Sequence, residues 1–140
     1  MVIMTTVALL RFPTTSVQQP ITNHQQPPTN HQPTTTMSTE TTRQRVQRLI
    51  DKAQQWQILD AMHEFYADDV VMQENMNAPT VGLAANLERE RAFVDSIAKV
   101  NEMRAHAVLV DGNRAVINWH QDLVDTNGHR LRFDQLSLQL

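Results

Sequence analysis

The sequence predicts one α+β domain in which helices come first and antiparallel hairpins follow. Three observations carry this. Apolar residues recur at helical spacing from about residue 46 to residue 100. Beyond that, two turn signals, Asp111-Gly112-Asn113 and Asn127-Gly128, each separate strand-like runs. The chain has 140 residues, which is enough for one domain and too few for two.

Residues 13–36 consist largely of Thr, Pro, Gln, Asn and His, and the tetrapeptide Thr-Asn-His-Gln occurs at 22–25 and again at 29–32. Such a composition cannot bury a core, so residues 1–36 are expected to be a disordered tail and residues 37–140 the folded domain. Met37 stands where the composition changes and is a plausible alternative start. The run Val2–Leu10 is apolar, but no basic residue precedes it and Arg11 and Pro13 follow, so it makes a poor signal peptide. His24 and His31 have no nearby carboxylate and read as solvated tail residues rather than metal ligands.

The first helix is expected to start near Ser38 or Thr39, with Val46, Leu49, Ile50 and Ala53 on one face. A second carries Leu59, Met62, Phe65 and Tyr66 on one side. Neither Gly nor Pro separates the two, so their boundary falls somewhere around Gln54–Gln57. A third is expected from about Asn86 to Val100, with Phe93, Ile97 and Val100 in its stripe and charged residues opposite. Each helix has one apolar stripe and one wet face, and so covers something.

What they cover is a sheet. If Asn127-Gly128 is a two-residue turn, Thr126 faces His129, Trp119 faces Leu136, Ile117 faces Leu138 and Gln121 faces Asp134. That register puts Asp134 on the core face with Ile117, Trp119 and Gln121, and a one-residue bulge would invert it. In the first hairpin, a two-residue turn puts His106, Val108 and Val110 on the Trp119 face. A bulged turn puts Ala105, Ala107 and Leu109 there instead.

The stretch Phe65–Asn75, FYADDVVMQEN, reads as a helix end running into a short strand. On that strand Val70, Met72 and Glu74 share a face. Two carboxylates, Glu74 and Asp134, are thus expected on otherwise apolar faces. An unpaired buried carboxylate is costly, so it holds a proton or finds a partner. Facing each other in one cavity, they could work as a base and a protonated donor with coupled titrations. Alternatively, Glu74 ends its strand in water and Asp134 pairs with Arg130, Arg132 or Arg104.

The totals exclude several functions. The formal charge is −3, all acidic residues follow position 39, and Arg11 is the only Lys or Arg before Arg43. This balance argues against nucleic-acid binding. The absence of cysteine removes disulfides, thiolate catalysis and cysteine-based zinc sites, and it fits a cytoplasmic location. No apolar run is long enough to span a membrane. His63 lies in HEFYA, which lacks the second histidine of a zinc-protease helix, and no phosphate loop, dinucleotide fingerprint or nucleophile elbow occurs. No cofactor and no metal are therefore expected.

Taken in order, two helices, FYADDVVMQEN, the Pro79–Gly82 loop, the helix stretch ANLERERAFV and the long hairpins resemble the SnoaL-like branch of the nuclear transport factor 2-like superfamily. That superfamily includes ketosteroid isomerase, scytalone dehydratase and polyketide cyclases. The resemblance covers about residues 38–140. It implies a cone-shaped fold, a curved antiparallel sheet wrapped around the helices, with an apolar pocket for a small apolar ligand and a homodimer formed through the sheet. It places Glu74 at the general-base position of ketosteroid isomerase and Asp134, more loosely, at its oxyanion-hole aspartate. The oxyanion-hole tyrosine would fall near Ile50, so that donor is missing. Met72, Phe65, Ile97, Trp119, Gln121 and His106 are expected to line the pocket. Members usually continue with one more strand, so the last strand is expected to be missing here.

Overall fold

In the computed structural model, residues 3–8 and 40–140 are described. The repeats, His24, His31 and the expected tail other than residues 3–8 lie outside them. Nine elements follow in order: β1 (Ile3–Ala8), α1 (Thr42–Gln54), α2 (Ile58–Phe65), β2 (Val71–Glu74), β3 (Thr80–Val81), α3 (Leu83–Asp95), β4 (Ile97–Asp111), β5 (Arg114–Asp125) and β6 (Arg130–Gln139). The class is α+β, as the patterning predicts: three helices and mainly antiparallel strands.

α1 buries Val46, Leu49, Ile50 and Ala53, the stripe read from its spacing. Its start is later than expected because Thr41, not Ser38 or Thr39, is the cap. The Thr41 hydroxyl accepts the Gln44 amide at 3.2 Å, and Gln44 Oε1 accepts the Thr41 amide at 2.9 Å, a reciprocal capping box. The break after α1 needs no glycine. Trp56 adopts a left-handed φ of 60°, its amide donates to the Ala53 carbonyl, and the Gln57 amide donates to the Lys52 carbonyl. This is the paired hydrogen-bond pattern of a Schellman motif, built on an unusual residue. α2 then buries Ala61, Met62 and Phe65. The guanidinium groups of Arg45 and Arg48 lie 5.2 and 5.4 Å from the Phe65 ring centroid, so the wet face of α1 also covers the ring.

α3 ends sooner than the pattern suggests. Ser96 Oγ donates to the Phe93 carbonyl at 2.7 Å, and Ile97 begins β4 opposite Asp125. Ile97 and Val100 thus belong to a strand, where β-branched residues fit well. At the other end, Gly82 has φ 89° and precedes the helix. Behind it the buried Asn86 side chain donates to the Thr80 and Gly82 carbonyls at 3.1 and 2.8 Å, fixing the loop.

The sheet order is β3-β2-β1-β6-β5-β4. β1 lies inside it, parallel to β6 and antiparallel to β2. β1 comes from residues 3–8 of the expected tail, and among the described residues β1–β6 is the parallel pair in an otherwise antiparallel sheet.

The β5–β6 register differs by one residue from the expected one. Trp119 faces Gln135, His120 faces Asp134, and Val124 faces Arg130. The cause is the turn. Asp125 and His129 close it, with the Asp125 amide donating to the His129 carbonyl at 2.9 Å, so Thr126, Asn127 and Gly128 form a three-residue loop. Gly128 takes φ 86°, as the last residue of such a loop does. The Asp125 carboxylate accepts the Asn127 and His129 amides, both at 2.8 Å, and holds the wider turn in place. β6 therefore turns Phe133, Gln135, Ser137 and Gln139 to the helix side and Asp134 to the outer side.

β4–β5 has the two-residue turn between Asp111 and Arg114, so Val108 and Val110 pack on the core. A bulge between Ala105 and Ala107 then leaves His106 without a strand partner. Ala105 keeps the inner face, its amide donating to Gln54 Oε1 at 3.1 Å. The His106 ring stands edge-on to His120 at 5.4 Å, on the outer face. The expected inner position of His106 is corrected by that one extra residue.

The core joins Val46, Leu49, Ile50, Ala53, Ala61 and Phe65 of the helices to Ala115, Ile117 and Trp119 of β5. Phe65→Ala is expected to destabilise the fold by about 3–5 kcal/mol in urea unfolding. A second prediction concerns acid. On the outer face, Asp122 accepts Arg130 Nε at 2.9 Å, Asn101 Nδ2 at 3.1 Å and Arg132 Nε at 3.2 Å. Arg130 first, then Asn101, hold this carboxyl well below the usual range, and the His129 amide lowers that of Asp125. The unfolded chain then takes up protons before the folded one. Their contribution is complete above the unfolded carboxylate range, about pH 4, and is lost as pH falls through the folded values. Asp122→Asn should flatten the acid limb of a stability–pH curve.

Candidate functional site

A cavity of about 210 Å³ lies between the helices and the inner face of the sheet. α1 and α2 supply an apolar wall with Leu49, Ala53, Ile58, Ala61 and Met62. The left-handed turn at Trp56 puts its indole at the lining, tilted against Phe93 of α3 with ring centroids 6.2 Å apart. β5 contributes Trp119 and Gln121, and β6 contributes Phe133, Gln135 and Ser137. β2 brings Met72 and Glu74, and α3 brings Arg89 and Glu90.

The polar groups fall into two sets. On the sheet side, Gln121 Nε2 donates to Gln135 Oε1 at 2.9 Å, and the Gln139 amide donates to the Ser137 hydroxyl. Burial pushes the Tyr66 hydroxyl up to about 12, against the opposing pull of the Gln139 side chain. Tyr66 is therefore a neutral donor at any physiological pH.

The second set is an acid–cation–acid group. Arg89 Nη2 lies 3.8 Å from Glu74 Oε1 and 3.2 Å from Glu90 Oε1. Burial raises the Glu90 carboxyl above its ordinary value, Arg89 pulls it back, and the Glu74 charge raises it further. Burial is the leading cause, so Glu90 holds its proton to higher pH than a free glutamate. The group can thus present a proton acceptor, a fixed positive charge and a proton donor at one end of a mostly apolar cavity.

Of the residues expected from sequence, Glu74, Met72, Trp119 and Gln121 line this cavity. Phe65 lies deeper, in the core beneath it. Ile97 is half-buried at the start of β4 and does not line the cavity. Asp134 and His106 are on the far side of the sheet. There Asp134 Oδ1 lies 2.8 Å from His120 Nδ1, in a shallow outer depression with Glu102, Arg104, His106 and Asn118. The two acids expected to face each other are thus separated by the thickness of the sheet. The one-residue register shift is the reason. Sequence reasoning missed Arg89, Glu90 and Tyr66. The signal existed: stepping back from Phe93 by three, four and seven residues reaches Glu90, Arg89 and Asn86, the same helix face. Among the described residues, no group of three or more His, Asp or Glu is placed to hold a metal, and no helix is long and apolar enough to cross a membrane.

Carboxyl NMR titration should show Glu90 titrating above the ordinary glutamate range, and Arg89→Gln should move it higher still, because the lowering partner is gone. The sign for stability is opposite to that of Asp122. A raised acid makes the folded chain bind more protons, so stability falls as pH rises from the unfolded value, about 4.3, through the folded one. Glu90→Gln should remove that slope.

No curated protein matches this sequence at a significant level. A solved structure from Mesorhizobium loti, provisionally assigned as a SnoaL-like polyketide cyclase, aligns with a TM-score of 0.58 at 15% identity. The alignment covers 71% of this chain and 98% of that one, and at such identity it speaks for the fold alone. The SnoaL-like domain family matches residues 46–138, a span that holds all three helices' buried stripes, β2 through β5 and nearly all of β6. The chain belongs to the SnoaL-like domain family.

Proposed function

We propose that the chain binds a small, largely apolar molecule in this cavity and acts on it by proton transfer, with Glu74 as base and Glu90 as proton donor. The Glu74–Arg89–Glu90 group at the end of an apolar chamber carries the reading. At about 210 Å³ the chamber is smaller than the ~300–1,000 Å³ of pockets for drug-sized ligands. It suits a molecule of one or two rings, of the cyclic-ketone or polyketide type. Glu74 takes a proton from the carbon next to a carbonyl. The electron pair of that C–H bond moves into the enolate, whose oxygen accepts a hydrogen bond or proton from Glu90. Returning the proton to another carbon gives an isomer, and loss of a hydroxide from the neighbouring carbon, protonated to water, gives a dehydration. Arg89 offsets the negative charge that develops. Asp134 has no part in this, since it faces the other way.

A second reading rests on the same Arg89. Its ion pairs with both acids support a purely structural role, in a module that binds a ligand without changing it. Exposed Leu109 and Leu136 on the outer face support pairing of two copies there, which leaves the cavity free under either reading.

A panel of one- and two-ring ketones followed by NMR separates the two. Proton transfer predicts exchange or isomerisation by the wild-type chain and a loss of about 10²–10⁴-fold in Glu74→Gln, with ligand shifts at Trp56 and Trp119 retained. Undiminished turnover in Glu74→Gln rejects Glu74 as the base. Binding with no turnover in the wild type favours the second reading.

A further inference from the structure

β2 brings Glu74 and Met72 to the cavity, yet it shares no ladder with β6. Its connection to the rest of the sheet runs through β1. β1 pairs Ile3–Ala8 with Asp134–Gln139 on one side and Thr6–Ala8 with Glu74–Met72 on the other. Thr6 stands in register with both Glu74 and Ser137. Neighbouring strands are about 4.8 Å apart, so without β1 the facing edges of β2 and β6 lie roughly 10 Å apart and cannot bond to each other. The neighbours of β1 in the sheet are these two strands. Residues 9–41 join it to α1.

We propose that Ile3–Ala8 is a docking strand. It lies between β2 and β6, and its place there positions Glu74 against the β6 wall of the cavity. The occupant of the slot is the chain's own amino-terminal segment, extended and parallel to β6. Docking and cavity binding are then linked. A molecule held between Glu74 and the β6 wall stabilises the docked strand, and the docked strand tightens its binding by the same factor. The cavity thus depends on residues outside the family's matched span of 46–138.

The chain contains no cysteine, which makes the test direct. Val7 and Gln73 are paired across β1 and β2, and antiparallel partners lie within disulfide reach. In full-length Val7→Cys/Gln73→Cys, mild oxidation should give an intramolecular disulfide, seen as a monomer on a non-reducing gel and as one cross-linked peptide after digestion. Failure to form it, or covalent dimers in its place, overturns docking in cis. A second full-length variant, Thr5→Pro, removes an amide from an interior strand. Hydrogen exchange should then show lost protection in Val71–Glu74 and Arg130–Gln139, with α1 and the β4–β5 hairpin still protected. Unchanged protection overturns the proposal. Loss everywhere also overturns it, because β1 would then support the whole fold and not the β2–β6 junction alone.

Discussion

The turn closed by Asp125 and His129 decides the chemistry of the cavity. Its carboxylate collects two backbone amides at 2.8 Å and commits the chain to three loop residues. A side chain on a strand changes face with each residue, so this single choice sends Phe133, Gln135 and Ser137 inward and Asp134 outward. The outer face then organises around the result. Asp134 meets His120, and Asp122, between Arg130, Arg132 and Asn101, fastens β4, β5 and β6 together. Shifting the register would bury Asp134 and Arg132 against Trp119 and Gln121 without partners, a cost of several kcal/mol.

With the sheet's own acid turned away, the ionisable groups of the cavity come from α3 and β2. Glu90 and Arg89 sit on the helix face that also carries Phe93 and Asn86, and Asn86 fixes the approach to that helix through the Thr80 and Gly82 carbonyls. Glu74 arrives on a four-residue strand whose place in the sheet is set by β1. The acid–cation–acid group therefore depends on two attachments that are distant in sequence. A partly buried charged group of this kind is favoured where its partners compensate each other, and Arg89 does so for both glutamates.

Much of the fold was legible because local chemistry and final packing agree. The stripe Val46, Leu49, Ile50, Ala53 is both a helical period and the face that is buried. The Asp111–Arg114 turn put Val108 and Val110 where the core needs them. What stayed hidden was decided elsewhere. Asn127-Gly128 looks like a two-residue turn, and only the reach of Asp125 to the amides beyond makes it three. His106 leaves the inner face through a bulge that its own sequence does not announce. Ile97 continues the spacing of Phe93, but the Ser96 cap and the ladder to Asp125 claim it for a strand. Charged residues on α3 suggest a solvated face, although Glu90 lies on the Phe93 side. The pairing of Ile3–Ala8 with strands more than sixty residues away is non-local, and no spacing within the segment points to it.

The register of β5 on β6 is the most direct test of this account. In a labelled sample, Hα–Hα contacts between non-hydrogen-bonded cross-strand partners report it without reference to any ligand. The three-residue turn predicts contacts from the set Trp119–Gln135, His120–Asp134 and Gln121–Phe133. Contacts from the set Trp119–Leu136 and Gln121–Asp134 would contradict it, return Asp134 to the cavity beside Glu74, and reassign the acid chemistry of the site.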